Sequence, residues 1–252
     1  MATIPYDILA LDDPDYPSRD GKPMSDNTKQ FRWIVAVQGG LATQYVDDLN
    51  VLVVGDLLWY PVEGDNKIRS APDAMVIFGR PKGDRGSYIQ YREEGIAPQV
   101  AFEVLSPGNR PGEMRRKLAF YERYGIEEYY ILDPDYARHK GYLRSADGKL
   151  EPIAELFGWV SPRLGIRFEL TDELVLIGTD GLRFEFYEVE AARRRAELQA
   201  RQAAERQAVT ERQGREAAEQ RADAERLDRQ AVDQENERLR AKLRALGLDP
   251  DA

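Results

Sequence analysis

Two acidic residues stand in apolar segments, where a carboxylate needs a specific partner. Asp73 directly precedes the apolar run 74–78, and Glu103 lies between Phe102 and Val104 in a strongly hydrophobic run. An ionised carboxylate buried in such a segment is costly unless a cation or a set of donors compensates it. Mg²⁺ is one suitable cation, because it takes oxygen ligands and keeps several of its waters. Carboxylates on two neighbouring strands therefore predict a site for Mg²⁺ or Mn²⁺.

The same carboxylates also permit a purely structural interpretation. In that case Asp73 caps a turn, and Glu103 faces solvent on an edge strand. The positions of the two residues along the chain leave both interpretations open. A lysine or arginine nearby favours the first, because phosphate chemistry needs positive charge where negative charge develops.

A basic segment follows the strand of Glu103 and leads into a predicted helix. Glu113 and Lys117 are four residues apart in that helix, so they share one helical face. If this face lies over the sheet, Lys117 can position an attacking water or stabilise a developing negative charge. The candidate phosphate contacts are the arginines of this segment and the cations of the preceding loop: Arg110, Arg115 and Arg116, with Arg80, Lys82 and Arg85. Such runs of charge are also typical of a solvated face.

The composition excludes several other kinds of chemistry. The 252 residues include no cysteine and one histidine, His139, which excludes thiolate nucleophiles, cysteine-bound zinc and multi-histidine metal sites. A hydrolase built on His139 is disfavoured, because no nucleophile motif lies near it. The net charge of −9 argues against a protein that coats DNA non-specifically, although it permits a small basic cleft on an acidic body.

The chain has no segment that predicts membrane insertion or secretion. No apolar run reaches the length of about 18 residues that a membrane span needs. Residues 1–15 are acidic and lack the apolar stretch of a secretory signal. We therefore expect a cytoplasmic protein.

Hydrophobic periodicity predicts two helices and a series of strands before residue 188. The first helix begins at residue 27 or 28 and ends near residue 44, and the second covers residues 113–124, closed by Gly125. Strands are predicted at residues 51–54, 74–78, 99–105, 128–132, 141–144, 150–152, 166–170, 174–177 and 183–187. This order of elements predicts an α/β or α+β sheet with helices packed on it.

The composition changes sharply near Glu188. Residues 188–246 consist almost entirely of Ala, Glu, Arg, Gln, Asp and Leu, without proline and with a single glycine, which is typical of a long helix. We therefore predict an irregular arm, a globular domain, a long charged helix and a short tail, at residues 1–26, 27–187, 188–247 and 248–252.

The last part of the long helix has the spacing of a coiled coil. Val232, Asn236, Leu239, Leu243 and Leu246 follow alternating steps of four and three residues, with Asn236 at an a position. A buried asparagine there favours a parallel dimer in one register. The apolar positions upstream are mostly alanine, so a solitary, charge-stabilised helix stays an alternative to a homodimer.

Four segments together resemble the Uma2 (Uma-two) family of the PD-(D/E)XK nuclease superfamily. They are Ala71-Pro72-Asp73, residues 97–107, the pattern Glu113-x3-Lys117-x3-Tyr121, and residues 125–134. The resemblance extends over residues 27–170. It implies a restriction-endonuclease-like fold, with a mixed sheet flanked by helices, and leaves the C-terminal helix outside the family core.

The resemblance also implies roles for particular residues. Asp73 and Glu103 would bind the metal ion, and Lys117 would complete the catalytic set. The superfamily lysine stands two residues after the second carboxylate, where this chain has Leu105, so Lys117 represents a lysine displaced to the next helix. The residues expected around the metal site are Gln30, where the family commonly has histidine, Glu113, where it usually has aspartate, and Tyr121.

Two hypotheses for function follow. The first is a Mg²⁺- or Mn²⁺-dependent endonuclease that hydrolyses DNA, with the coiled coil pairing two sites for double-strand cutting. The second is a weak or inactive nuclease-fold protein that uses its long helix as a binding or scaffolding module. The acidic net charge and the displaced lysine favour the second hypothesis.

Overall fold

An asparagine cap and an apolar stripe define the first helix, α1, at Thr28–Gln44. The Asn27 side chain accepts a hydrogen bond from the backbone N–H of Gln30 at 2.9 Å, which satisfies one of the free donors of the first turn. The computed structural model describes residues 13–18, 21, 25, 27–109, 111–136, 138–170 and 174–245, with the backbone alone at positions 111 and 243. The predicted helix is confirmed, whereas most of the predicted arm and all of the predicted tail lie outside the described residues.

The remaining elements follow the predicted order closely. They are β1 Val51–Gly55, β2 Trp59–Tyr60, β3 Ala74–Phe78, β4 Tyr88–Ile89, β5 Val100–Val104, α2 Pro111–Tyr124, β6 Glu128–Leu132, β7 Lys140–Arg144, β8 Leu150–Pro152, β9 Arg167–Leu170, β10 Leu174–Ile177 and α3 Tyr187–Ala245. The strands β2 and β4 were not predicted, because two residues are too few for an alternating pattern. The predicted strand at 183–187 is wrong: Arg183 forms a single isolated bridge with Ile177, and α3 begins at Tyr187.

Six strands form one mixed sheet, in the order β1-β3-β5-β6-β7-β8. All neighbouring pairs are antiparallel except β5 and β6, which run parallel and are joined by α2. A parallel pair needs such a crossover, because a tight turn can join only antiparallel strands. The sheet therefore carries β5 in its interior and α2 directly after it.

Hydrophobic layers cover the two faces of this sheet. On one face, α1 and the hairpin β9–β10, which contributes Phe168, pack against alternate residues of the sheet, including Phe102 and Tyr130. On the other face α2 contributes Tyr121 to a second layer with Met75 and other strand residues. The alternation of side chains along each strand explains why neighbouring residues belong to different layers.

The chain divides into two compact units between Glu190 and Ala191. In the second unit α3 continues to Ala245, and ion pairs four residues apart, such as Arg201–Glu205 at 3.0 Å, stabilise it along its surface. The predicted end of this helix at residue 247 lies outside the described residues. No helix in the described part of the chain is both long and apolar enough to cross a lipid bilayer.

Candidate active site

The antiparallel register between β3 and β5 sets the two predicted carboxylates side by side. Ala74 pairs with Phe102, so the next position of the register places Asp73 opposite Glu103. The Oδ2 atom of Asp73 accepts a hydrogen bond from the backbone N–H of Val104 at 2.6 Å. Both carboxylates are buried, with 9% and 3% of their surface exposed. The alternative in which Glu103 faces solvent on an edge strand is therefore wrong.

The helix α2 brings two side chains to the carboxylate of Glu103. The Lys117 ammonium donates to Oε2 and the Tyr121 hydroxyl donates to Oε1, each at 2.6 Å. Lys117 also donates to the carbonyl of Ala71 at 3.3 Å, and Tyr121 shares a hydrogen bond with the Ser70 hydroxyl at 3.2 Å. Because Lys117 and Tyr121 are one helical turn apart, a single face of α2 holds both oxygens of Glu103.

Burial and like charge control the protonation of these groups. Burial and the charge of Glu103 raise the pKa of Asp73 to about 8. Burial also raises the pKa of Glu103, while the Lys117 ammonium acts in the opposite direction. Burial opposes the charge of Lys117, but the carboxylates of Glu103 and Asp73 outweigh it and raise the Lys117 pKa. Without a metal ion, Asp73 is therefore mostly protonated at neutral pH, and the Lys117 ammonium balances the charge of Glu103.

Of the other residues predicted around the site, Gln30 and Glu113 both line a cleft beside the pair. Gln30 donates from Nε2 to the carbonyl of Val104 at 2.8 Å, so it fixes the end of β5 from the side of α1. A further acidic residue, Asp56, was not predicted: its N–H donates to the carbonyl of Asp73 at 3.3 Å, and its φ is 47°. This backbone conformation is uncommon for a residue other than glycine, so no turn signal marks the position.

A cleft of about 790 Å³ opens over the carboxylate pair. The charged residues in the described part of its wall are Asp56, Asp73, Glu103 and Glu113, with Lys67, Arg69, Arg116 and Lys117. Of the predicted phosphate contacts, Arg116 lines the cleft, Arg115 is exposed outside its wall, and Arg110 lies outside the described residues. Lys67 and Arg69 were missed, because they belong to an irregular polar connection between β2 and β3.

The basic residues of the loop after β3 have partners elsewhere. Arg80 and Arg85 both pair with the buried Glu93, at 2.9 and 2.6 Å. Lys82 donates to the backbone carbonyls of Tyr45 and Val46. None of these three cations belongs to the described wall of the cleft, so the structure separates them from the site.

The carboxylate pair suits a divalent cation that prefers oxygen ligands. Asp73 uses Oδ2 for the backbone of Val104, and its Oδ1 makes no hydrogen bond within the described part of the chain. No group of three or more His, Cys, Asp or Glu residues arranged to hold a metal occurs among the described residues. Mg²⁺ commonly takes one or two carboxylates and completes its coordination with waters and phosphate oxygens. Asp73 and Glu103 therefore fit Mg²⁺ or Mn²⁺.

The histidine of the chain is separate from this site. The Nδ1 atom of His139 accepts a hydrogen bond from the backbone N–H of Asp133 at 3.1 Å. Burial lowers the pKa of His139 to about 4, so the ring is neutral at physiological pH. His139 does not line the cleft. The titratable groups in the described wall of the cleft are therefore carboxylates, lysines and arginines.

The mixed sheet, its flanking helices and the acidic pair define a nuclease-like α/β protein. The model of the Uma2 family, described as "Putative restriction endonuclease", matches residues 22–174, and the chain belongs to this family. The resemblance inferred from the motifs is therefore confirmed. A comparison with curated proteins gave no match. A crystal structure described as "a putative nuclease belonging to DUF820" from Anabaena variabilis is 17% identical, covers 57% of this chain and 79% of its own, and has a TM-score of 0.41.

Proposed function

We propose that this protein is a metal-dependent endonuclease that hydrolyses phosphodiester bonds in DNA with Mg²⁺ or Mn²⁺. The observation that carries the proposal is the buried pair of Asp73 and Glu103 on adjacent strands, with Lys117 in contact, at the base of a cleft. Membership of a family described as restriction endonucleases supports DNA as the substrate.

Each residue of the site has a distinct task in this proposal. Asp73 and Glu103 hold the metal ion, which when bound polarises a phosphate oxygen and favours ionisation of water. Lys117 has three N–H donors, of which Glu103 and the carbonyl of Ala71 accept two. The third donor is available to hold an attacking water or a phosphate oxygen in the cleft. Tyr121 keeps the Glu103 carboxylate in one orientation.

We also propose that the protein forms a homodimer through α3. Val232 and Leu239 lie on the predicted seam, and their side chains are 60% and 47% exposed in the single chain. Pairing α3 with a second copy in the register that Asn236 selects would remove these apolar groups from water. A dimer would bring two sites to one DNA molecule, as double-strand cutting requires.

A second candidate function is a non-catalytic nuclease-fold protein that uses α3 as a scaffold. The observation that favours it is that both oxygens of Glu103 already accept hydrogen bonds, from Lys117 and Tyr121. A permanent arrangement of this kind would satisfy Glu103 without any metal ion. The two candidates differ in whether a divalent cation binds and whether DNA is cut.

The test is cleavage of supercoiled plasmid and single-stranded DNA by wild type and Asp73→Ala in Mg²⁺, Mn²⁺ and EDTA. We expect metal-dependent cleavage that the substitution abolishes. The matched control is Glu128→Gln, because Glu128 is also a buried glutamate of the sheet but accepts from Tyr130 and Ser161, away from the cleft. A folded wild type that cuts neither substrate contradicts the proposal. In that case the scaffold is supported, unless calorimetry finds Mg²⁺ binding that Asp73→Ala removes.

A further inference from the structure

Three cations in the wall of the cleft have no acidic partner among the described residues. Lys67, Arg69 and Arg116 form no ion pair there, and the Arg69 guanidinium donates to the backbone carbonyl of Asn66 at 2.8 Å. The arginines Arg80 and Arg85, by contrast, share the carboxylate of Glu93. An unpaired cation beside buried carboxylates is available to an anion that enters the cleft.

The three cations come from two separate elements. Lys67 and Arg69 lie in the connection between β2 and β3, whereas Arg116 lies on α2, next to Lys117. The wall of the cleft thus carries positive charge on two elements, in the same lining as the pair of Asp73 and Glu103. A polyanion with regularly spaced charges fits this arrangement better than a single small anion does, because separate cations then contact successive phosphates.

The connection that carries Lys67 and Arg69 is tied to the catalytic set. Its next residue, Ser70, pairs with the backbone of Trp59 in both directions, at 2.8 and 3.2 Å, and shares a hydrogen bond with the Tyr121 hydroxyl. The following carbonyl, that of Ala71, accepts from Lys117. Two residues of chain span at most about 7 Å, so Arg69 lies close to the groups that hold Glu103.

We infer that Lys67, Arg69 and Arg116 bind backbone phosphates of the DNA that enters the cleft. This inference rests on the proposed nuclease function and names the contacts by which the same cleft holds its substrate.

The test measures binding without cleavage. Fluorescence anisotropy of a labelled DNA duplex is followed in EDTA at several KCl concentrations, for wild type, Lys67→Ala, Arg69→Gln and Arg116→Ala. Each phosphate contact contributes about 0.9 to the slope of log affinity against log salt on duplex DNA. We expect each substitution to lower the magnitude of the slope by about that amount. Arg69→Lys keeps the charge and should restore the wild-type slope, which controls for any packing role of this half-buried side chain.

Arg115→Ala is the matched control, because Arg115 is the neighbour of Arg116 on α2 but lies outside the wall of the cleft. It should leave the slope unchanged. The inference fails if the cleft variants change the slope no more than Arg115→Ala does, or if the wild type binds no duplex. Cleavage with unaltered slopes would refute the inference and keep the nuclease proposal. Lowered slopes without cleavage would keep the inference and refute the nuclease proposal.

Discussion

Two groups of buried carboxylates in this protein differ in how their charge is balanced. Glu93 has two guanidinium partners, Arg80 and Arg85, and all three side chains are largely buried. In the cleft, the Lys117 ammonium contacts Glu103, and no cation contacts Asp73 among the described residues. The first group has at least as much positive as negative charge, and its ions stabilise one another. The second keeps a carboxylate without a cation, which is the property expected of a metal site.

Burial and ion pairing alone do not identify a functional site. Both groups contain acidic and basic side chains at hydrogen-bond distance. What separates them is the uncompensated carboxylate and the cleft that gives a ligand access to it. The predictions below test this difference, beginning with the largest effect.

Replacing Glu103 with glutamine should reduce DNA cleavage on the order of 10³-fold, because an amide is a poor ligand for a hard cation and loses the charge that the site uses. The measurement is the initial rate of plasmid nicking in Mg²⁺ at equal concentrations of folded protein. A variant that keeps more than a tenth of the wild-type rate would show that Glu103 is not a metal ligand.

Replacing Glu93 with alanine should instead lower the free energy of unfolding by about 3–5 kcal/mol, because it leaves the buried Arg85 without a counter-charge and Arg80 with only the exposed Glu94. Urea denaturation monitored by tryptophan fluorescence measures this loss. The cleavage rate per folded molecule should stay at the wild-type value. A large loss of cleavage without a loss of stability would reverse the assignment of the two groups.

The stability of the metal-free protein should fall as the pH rises from 6 to 9. The Asp73 carboxyl has an ordinary pKa of 3.8 in the unfolded chain and a pKa of about 8 in the folded state. Between these values the folded protein binds a proton that the unfolded chain has lost, so raising the pH removes this contribution to stability. This single carboxyl group should lower the free energy of unfolding by roughly 2–3 kcal/mol between pH 6 and pH 9.

Urea denaturation in EDTA at several pH values measures this dependence. Asp73→Asn does not titrate, so its stability curve should be flatter than that of the wild type between pH 6 and pH 9. Equal pH dependence in the two proteins would show that Asp73 is not the group responsible.

Replacing Tyr121 with phenylalanine should weaken Mg²⁺ binding by roughly 10-fold, because residues that orient a metal ligand typically contribute 10–100-fold to affinity. Tyr121 acts as a positioning residue, since its hydroxyl contacts Glu103 rather than the cleft. Isothermal calorimetry measures the affinity. The control is Tyr129→Phe, whose hydroxyl contacts the sulfur of Met114 at 3.9 Å. Equal affinities in the two variants would contradict the role of Tyr121.

Much of the sheet and the acidic pair could be predicted from local patterns. The strands β3 and β6 have the predicted bounds, because long apolar runs between turn signals leave few alternatives. Asp73 and Glu103 were recognisable as carboxylates in apolar runs. Lys117 was recognisable because its spacing from Glu113 sets them on one helical face.

The remaining features depend on contacts between distant parts of the chain. Arg85 looks like a phosphate contact in the sequence, and its partner Glu93 becomes evident only once the chain is folded. Lys67 and Arg69 carry no local signal that they line the same cleft as Glu103. Residues 183–187 have the alternating apolar pattern of a strand, because Phe184 and Phe186 pack against the core. They do so without joining a sheet, so the pattern alone predicted a strand that does not form.

The register between β3 and β5 also limits how this protein can change in length. Side chains alternate between the two faces of a strand, so a one-residue insertion within β3 would turn Asp73 towards α1 and away from Glu103. Glu103, Lys117 and Tyr121 would stay together, because the β5–α2 segment carries all three. A change in length that shifts the pairing of β3 with β5 would therefore separate Asp73 from the other three residues.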